Sequence, residues 1–180
     1  MPSIDDCVRL LRERGDSEYG GESVTQIEHA LQCAMLAEQD DASAELISAA
    51  LLHDVGHLLH SLADDAPDRG IDDAHEDLGQ RYLQRIFGDS VAVPVRLHVP
   101  AKRYMCATLD GYQERLSEPS IVSLRLQGGP MSAPETKLFE QNSFAKDAVR
   151  LRHWDDAAKI PGLRTPPLEH YIQYLRMSVR

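Results

Sequence analysis

A chain of 180 residues is long enough for one domain with a full hydrophobic core and short for two, so we expect residues 1–180 to form a single domain. The net charge of −10 argues against binding to nucleic acid or to an anionic membrane, because such binding requires an excess of lysine and arginine. The chain has no apolar run of about 18 residues and begins without a signal-peptide pattern, which predicts a cytoplasmic protein. The three cysteines are widely spaced and form no Cys-x-x-Cys pair, so we expect them to be reduced.

Apolar residues recur at helical spacing along the chain, and no segment alternates with the period of a strand. The first predicted helix is capped by Ser3 and stops at Gly15. The second predicted helix spans 23–39 and the third spans 42–60. Further helices are predicted over 72–88, 90–97, 105–127, 135–141 and 144–154, and from residue 169 onward. The predicted fold class is therefore all-α, a compact bundle of several helices.

The stretch LISAALLHDVGHLLH, residues 46–60, places a histidine and an aspartate side by side. In a helix, His53 shares a face with the apolar residues before it and points toward the core. Adjacent helical residues point about 100° apart, so His53 and Asp54 can reach one ion from neighbouring directions, and a carboxylate can bridge to a second ion. A lone His-Asp pair is equally compatible with the end of a helix, so this dipeptide alone does not establish a metal site.

Several further histidines and one late aspartate occur on, or at the ends of, helices that should pack into the same core. Imidazole and carboxylate ligands without thiolate suit iron, manganese or catalytic zinc better than structural zinc. A carboxylate shared between two ions holds them at about 3.5–4 Å, the spacing of two-metal sites. The candidate metal ligands are His29, His53, Asp54, His75, His98 and Asp155.

The order of these residues resembles the His…His-Asp…Asp set of the HD-domain superfamily, with His75 and His98 as the two additional histidines of its dinuclear members. The motifs SEYGGES, LLHDVGH, HVPAKRY, QGGPM, RHWD and PGLRTPPLEHY occur in order along essentially the whole chain. They resemble the mixed-valent diiron oxygenases of organophosphonate catabolism. The resemblance implies an HD-domain helical bundle that holds two iron ions as an Fe(II)/Fe(III) pair and uses dioxygen as co-substrate.

Carried over by residue, the resemblance implies one iron held by His29, His53, Asp54 and Asp155. It implies that Asp54 bridges to a second iron, which is held by the two additional histidines. The resemblance also assigns candidate residues outside the ligand set. Tyr19 occupies an iron position until substrate displaces it, Glu22 lies near the substrate amino group, and His57 lies behind the ligands or contacts substrate. The implied phosphonate-binding residues are Lys102, Ser120, Ser123 and Arg152; Lys159 is left as either a residue of the site mouth or a surface lysine.

The implied reaction cleaves the C–P bond of a small-molecule organophosphonate. The substrate would be 1-hydroxy-2-(trimethylammonio)ethylphosphonate or 2-amino-1-hydroxyethylphosphonate, and the products would be phosphate with glycine betaine or glycine. The acidic loop at 62–73 favours the trimethylammonium compound slightly, although such a loop also fits a solvated surface. Two alternatives remain from the residues: a metal-dependent HD phosphohydrolase, which would use the same ligands, and a catalytically silent HD module that senses a phosphorylated or phosphonate ligand. The oligomeric state does not follow from the sequence.

Overall fold

The computed structural model describes residues 2–59 and 74–180. Within those ranges the chain forms ten α-helices and no strand, and the all-α class predicted from the sequence is confirmed. The helices are α1 Ile4–Arg14, α2 Gln26–Gln39, α3 Ala44–Leu52, α4 Val55–Leu59, α5 His75–Leu83, α6 Asp89–Thr108, α7 Glu118–Leu126, α8 Ala133–Glu140, α9 Ala145–Ala157 and α10 Leu168–Met177. A short 3₁₀ helix, Gln113–Arg115, precedes α7. None of the described helices has the length and hydropathy needed to cross a bilayer.

Side-chain caps explain where the first two helices begin. Ser3 accepts a hydrogen bond from the Asp6 backbone N–H, the Asp6 side chain bonds back to Ser3, and Gly15 caps the C-terminus as predicted. Thr25 and Glu28 form the same reciprocal box at the start of α2, three residues later than the predicted start at 23. A box of this kind satisfies backbone N–H groups that the first helical turn leaves without partners, so the helix starts at the box.

Helix α3 is the centre of the bundle. Every residue from 46 to 52 is buried, and α3 packs on α2, α6, α9 and α10. A helix that is apolar on all sides must be surrounded by other elements. His53 follows directly on this buried segment, so the candidate metal ligands His53 and Asp54 lie in the interior of the bundle.

The predicted continuous helix over 42–60 is wrong, because the chain turns at His53 and Asp54 between α3 and α4. The His53 ring donates from Nδ1 to the Ala50 carbonyl, which is the acceptor that the Asp54 N–H would use in a continuous helix. Gly56 follows the turn, and a Cβ there would lie 1.9 Å from the His75 carbonyl oxygen. The glycine thus permits the start of α5 to approach α4 closely, which brings His75 to the turn.

The predicted short helix over 90–97 is also wrong, because α6 continues through Pro94 and Pro100 to Thr108. A proline inside a helix removes its own N–H bond, but the packing of α6 against α5 and α9 keeps the remaining turns in register. As a result, His98 and Lys102 lie one helical turn apart on a single buried face.

Candidate metal centre

The structure brings the six candidate ligands together at the centre of the bundle. His29 comes from α2, His53 and Asp54 from the turn after α3, His75 from the first residue of α5, His98 from α6 and Asp155 from α9. All six are buried. Since five segments that are distant in sequence each supply a ligand, the bundle as a whole, rather than one local motif, forms the site.

The first group of ligand atoms surrounds one oxygen of Asp54. The Nε2 atoms of His29 and His53 lie 3.1 Å apart, and Asp54 Oδ2 lies 3.2 Å from His53 Nε2 and 3.6 Å from His29 Nε2. Asp155 Oδ1 lies 3.4 Å from His29 Nε2. Nitrogen and oxygen donors on a common ion about 2.0–2.2 Å away show separations of this size.

The second group surrounds the other oxygen of Asp54. The Nε2 atoms of His75 and His98 lie 3.2 Å apart, and each lies 3.4 Å from Asp54 Oδ1. The two oxygens of one carboxylate therefore face two separate pairs of imidazole nitrogens. This is the arrangement by which a bridging carboxylate holds two metal ions.

Hydrogen bonds on the far side of the rings determine which nitrogen is free to bind metal. The Nδ1 atoms of His29, His53 and His98 face the carbonyl oxygens of Ala158, Ala50 and Val95 at 2.8, 2.9 and 2.6 Å. A ring nitrogen that faces a carbonyl must donate, so the neutral ring carries a lone pair on Nε2. Histidines that bind metals are held in this way by outer hydrogen bonds.

The resulting arrangement fits a cation. Lone pairs of His29 and His53 face each other at 3.1 Å, and the buried Asp54 Oδ2 has no hydrogen-bond partner in the structure. Such an arrangement is repulsive unless positive charge lies between the atoms. Asp54 draws positive charge to this position: burial lowers the pKa of His53, but Asp54 outweighs it and raises the pKa to about 9, so a proton occupies the position when no metal ion does. Burial also opposes the ionisation of Asp54, yet His53 and His98 hold its pKa well below the ordinary value.

Cys33 borders the first group but is a poor candidate ligand. Its Sγ lies 3.8 Å from His29 Nε2. Burial, together with the charge of Asp155, raises the thiol pKa well above its ordinary value, so the metal-free thiol is protonated, whereas the imidazole and carboxylate groups are ready to bind an ion. The candidate donor set thus remains nitrogen and oxygen, which suits iron or manganese.

Tyr19 covers the first group from the loop before α2. Its ring stacks on His29 with centroids 3.8 Å apart, and its hydroxyl donates to Asp155 Oδ1 at 3.3 Å. Burial and the charge of Asp155 raise the tyrosine pKa well above its ordinary value, so the group is a neutral phenol next to the ligands. Gly20 and Gly21, both at positive φ, form the tight turn that follows Tyr19.

His57 lies behind the second group. Its ring stacks on His75 with centroids 3.9 Å apart, and its Nε2 lies 3.9 Å from Asp54 Oδ1. It is more exposed than the six candidate ligands. Its place beside the ligands matches either role implied for it by the resemblance.

Two buried cations lie beside the ligands. Lys102 donates to Ser123 Oγ at 2.7 Å, and Ser123 in turn donates to the Ser120 carbonyl. Burial and the positive charge of Arg152 lower the pKa of Lys102 to about 7. A lysine next to a second buried cation is poised to receive an anion, because an anion would relieve both the burial and the repulsion.

Arg152 is already engaged with carboxylates. Its guanidinium bonds to Asp155 Oδ2 at 2.7 Å and also to Asp156, and its Nε donates to the Tyr112 hydroxyl at 3.3 Å. Asp155 Oδ1 faces His29 while Asp155 Oδ2 faces the arginine. The guanidinium therefore orients a candidate metal ligand, whatever contact it also makes to substrate.

Sequence reasoning missed several residues that support the site. Asp156 follows Arg152 by one helical turn, a spacing from which the pair could have been predicted. Gln32, Tyr112 and Ser117 carry no such signal, because their partners come from distant segments. Lys159 was left undecided from the sequence, and the structure places it against Glu22 and Ser120 rather than on the open surface. The acidic loop predicted at 62–73 lies outside the described residues.

Comparison with known proteins defines the class of this chain. Residues 27–130 match the HD domain, over more than half of the chain and across five of the six candidate ligands. The chain belongs to the HD-domain family.

Three relatives align along nearly the whole chain. A protein of Gimesia maris, named hydroxymethylphosphonate dioxygenase, is 48% identical over 176 residues, covering 93% of this chain and 84% of the relative. A protein of Leisingera caerulea, named [1-hydroxy-2-(trimethylamino)ethyl]phosphonate dioxygenase (glycine-betaine-forming), is 44% identical over 170 residues, covering 94% and 87%. An uncharacterised protein of Acanthamoeba polyphaga mimivirus is 35% identical over 185 residues, covering 99% and 84%. These relatives confirm the relationship to phosphonate oxygenases that the sequence motifs predicted.

Proposed function

We propose that this protein is an iron-dependent dioxygenase that cleaves the C–P bond of a 1-hydroxyphosphonate. The protein is an oxygenase that acts on phosphonates, as its two named relatives are. The names of both relatives describe a phosphonate with a hydroxyl on the carbon that carries phosphorus, while the remainder of the molecule differs. The observation that carries the proposal is the Asp54 carboxylate, whose two oxygens face two imidazole pairs beside the buried Lys102.

The cofactor in this proposal is a pair of iron ions in the Fe(II)/Fe(III) state. His29, His53, Asp54 and Asp155 would hold one ion, and Asp54, His75 and His98 the other. Iron supplies the activation of dioxygen and the one-electron chemistry when it is bound. The overall reaction balances without a further reductant, because a 1-hydroxyphosphonate and O₂ give a carboxylate, phosphate and a proton. All four electrons that reduce O₂ come from the substrate carbon and its bond to phosphorus.

The chain's own residues bind and orient the substrate. Lys102 supplies a charge-assisted hydrogen bond to the phosphonate, Ser120 and Ser123 supply hydroxyl groups, and Arg152 adds positive charge. Tyr19, whose hydroxyl contacts Asp155 beside the ligands, is displaced from this contact when substrate enters. His57, beside the second ligand group, contacts the substrate or the ligands.

Residues 1–180 act as one domain in this proposal. The ligands come from α2 near the beginning of the chain and from α9 near its end. A division of the chain into two domains between α2 and α9 would separate His29 from Asp155, whose ligand atoms lie 3.4 Å apart.

The alternative function is that of an HD-type phosphohydrolase. The names of the two named relatives favour the oxygenase.

Oxygen-dependent release of phosphate is the primary test. Anaerobically iron-loaded protein is offered hydroxymethylphosphonate and the two amine-bearing 1-hydroxyphosphonates, with and without O₂. We expect phosphate release only with O₂, at one phosphate per O₂ consumed, because the substrate provides every electron. A phosphate monoester is the control and should not be hydrolysed. Oxygen-independent hydrolysis of the monoester, with no turnover of any phosphonate, would assign the protein to the phosphohydrolases.

Replacing Lys102 by methionine should mainly raise the KM for the phosphonate, by about 10- to 100-fold, because a buried charge-assisted hydrogen bond is lost. In the unmodified protein, kcat/KM should fall as the pH rises through about 7, since Lys102 then loses the proton that carries its charge. The measurement is kcat/KM between pH 6 and 9. The Lys102→Met variant should lack this basic limb, and an unchanged KM would exclude Lys102 as a phosphonate contact.

A further inference from the structure

Lys159 and Glu22 form an ion pair beside the candidate metal centre. Lys159 Nζ lies 2.8 Å from Glu22 Oε1, 3.1 Å from Ser117 Oγ and 3.0 Å from Ser120 Oγ. An ammonium group has three N–H donors, so these three acceptors satisfy it completely. The side chains of Lys159 and Glu22 are only 14% and 15% exposed, which separates this pair from an ordinary surface salt bridge.

The backbone holds Lys159 in place on both sides. The Ala158 carbonyl accepts a hydrogen bond from His29 Nδ1 at 2.8 Å. The Gln32 side chain bonds both the N–H and the carbonyl of Ile160, at 3.0 and 2.8 Å. Both anchors come from α2, so Lys159 is fixed relative to a candidate metal ligand rather than moving with a free loop.

The ion pair also borders the groups proposed to bind the phosphonate. Ser120, which accepts from Lys159, precedes by one turn the Ser123 that accepts from Lys102. Lys159 Nζ lies 5.9 Å from the centroid of the Tyr19 ring, the ring that stacks on His29. The pair therefore lies within reach of a small substrate that spans the phosphonate-binding hydroxyls and the metal ligands.

The pair changes what Glu22 can recognise. An unpaired carboxylate at this point would attract a substrate ammonium or trimethylammonium group. Here the negative charge of Glu22 is matched by Lys159, and a substrate cation would have to displace that lysine and then lie beside it. Two positive charges at close range in a partly buried site repel strongly, and the separation of Lys159 from Glu22 would leave a buried ion unpaired.

We infer that the Lys159–Glu22 ion pair determines substrate specificity by selecting 1-hydroxyphosphonates whose remaining group carries no positive charge. This inference rests on the proposed function and names its substrate class. Such a substrate carries hydrogen or an uncharged group on the hydroxyl-bearing carbon. Amine-bearing compounds, which the sequence motifs alone suggested, are disfavoured by the lysine.

The test compares four compounds that share the phosphonate group and the 1-hydroxyl group and differ in the charge of the rest of the molecule. Hydroxymethylphosphonate and 1-hydroxyethylphosphonate are the uncharged members, and 2-amino-1-hydroxyethylphosphonate and its trimethylammonio analogue are the cationic members. We expect kcat/KM of the unmodified enzyme to favour the uncharged members by on the order of 100-fold. The same order should appear in affinities measured by calorimetric titration of the iron-loaded protein without O₂.

Substitutions of the pair then reverse or increase the discrimination. Lys159→Met frees the charge of Glu22 and should raise kcat/KM and affinity for the cationic members, relative to the uncharged ones, by at least about tenfold. Lys159→Met combined with Glu22→Gln should lose that gain. Glu22→Gln alone leaves the charge of Lys159 uncompensated and should lower kcat/KM for the cationic members further. This variant therefore shifts the preference in the direction opposite to Lys159→Met. Lys146→Met, an exposed lysine of α9, is the matched control and should leave the ratio unchanged.

Each contrary result has a distinct meaning. A preference of the unmodified enzyme for a cationic member would overturn the inference while the proposed function stands. Equal losses for all four compounds in Lys159→Met would place Lys159 on the phosphonate and would also overturn it. If no compound released phosphate with O₂, the proposed function would fail; the titrations would still decide whether the ion pair selects ligands by charge.

Discussion

Asp54→Asn should reduce the iron content from two ions per chain toward one or fewer and should lower oxygen-dependent phosphate release by about 1,000-fold or more. The two oxygens of Asp54 face two separate imidazole pairs, and an amide offers only one oxygen and no charge. Loss of an outer partner of a metal ligand alone costs about 10- to 100-fold, so loss of the bridging ligand should cost more. Iron per chain and phosphate release are measured on the same preparation, with Mössbauer spectra to count the iron sites.

Two further variants make this result specific. His75→Ala removes a ligand of the second group and leaves His29, His53 and Asp155 intact, so it should retain one iron and lose turnover. Asp77→Asn, on the exposed surface of α5 where Asp77 pairs with Arg96, is the matched control and should retain both ions and full activity. Full activity in His75→Ala would exclude the two-metal assignment.

Arg152→Met should destabilise the iron-free protein by about 3 kcal/mol or more and should weaken iron binding as well. The substitution leaves the buried Asp155 and its neighbour Asp156 without the guanidinium that both carboxylates contact. Removing one partner of a buried ion pair costs about 3–5 kcal/mol, because the remaining charge is uncompensated. Chemical denaturation of the iron-free protein measures the change in the free energy of unfolding, and iron titration measures the change in iron affinity.

The matched control for this prediction lies two residues away on the same helix. Arg150 pairs with Asp40 at the surface, and Arg150→Met should change the stability by less than about 1 kcal/mol. Arg152→Lys keeps the charge but not the planar fork, so it should show an intermediate loss. If Arg152→Met were as stable as the unmodified chain, Asp155 would not depend on the guanidinium for its position.

The helical class and the residue types of the centre could be predicted from the sequence because both depend on local patterns. Helical spacing of apolar residues determines the class, and the His-Asp dipeptide lies on the most apolar stretch of the chain. The motifs also identified the family, which the comparisons confirmed. The roles assigned to Tyr19, Glu22, His57 and the phosphonate-binding residues remain predictions, and the variants above test those of Glu22 and Lys102.

Helix boundaries near the site could not be predicted, because tertiary packing outweighs local preference there. The chain turns at His53 where the periodicity continues, and α6 passes through Pro100 where local rules would end it. Both differences have consequences for the centre. The turn brings Asp54 between the two imidazole pairs, and the continuous α6 places Lys102 one turn from His98.

The sequence by itself determined that the chain is helical, that it carries imidazole and carboxylate ligands without a thiolate pattern, and that it is related to phosphonate oxygenases. Only the tertiary structure decided how charges are paired. Glu22 and Lys159 are separated by 137 positions, and nothing local to either residue indicates the other. The reason is physical: the charge that a buried group needs as its partner is supplied by whichever segment the fold packs against it, and that segment is rarely a neighbour in sequence.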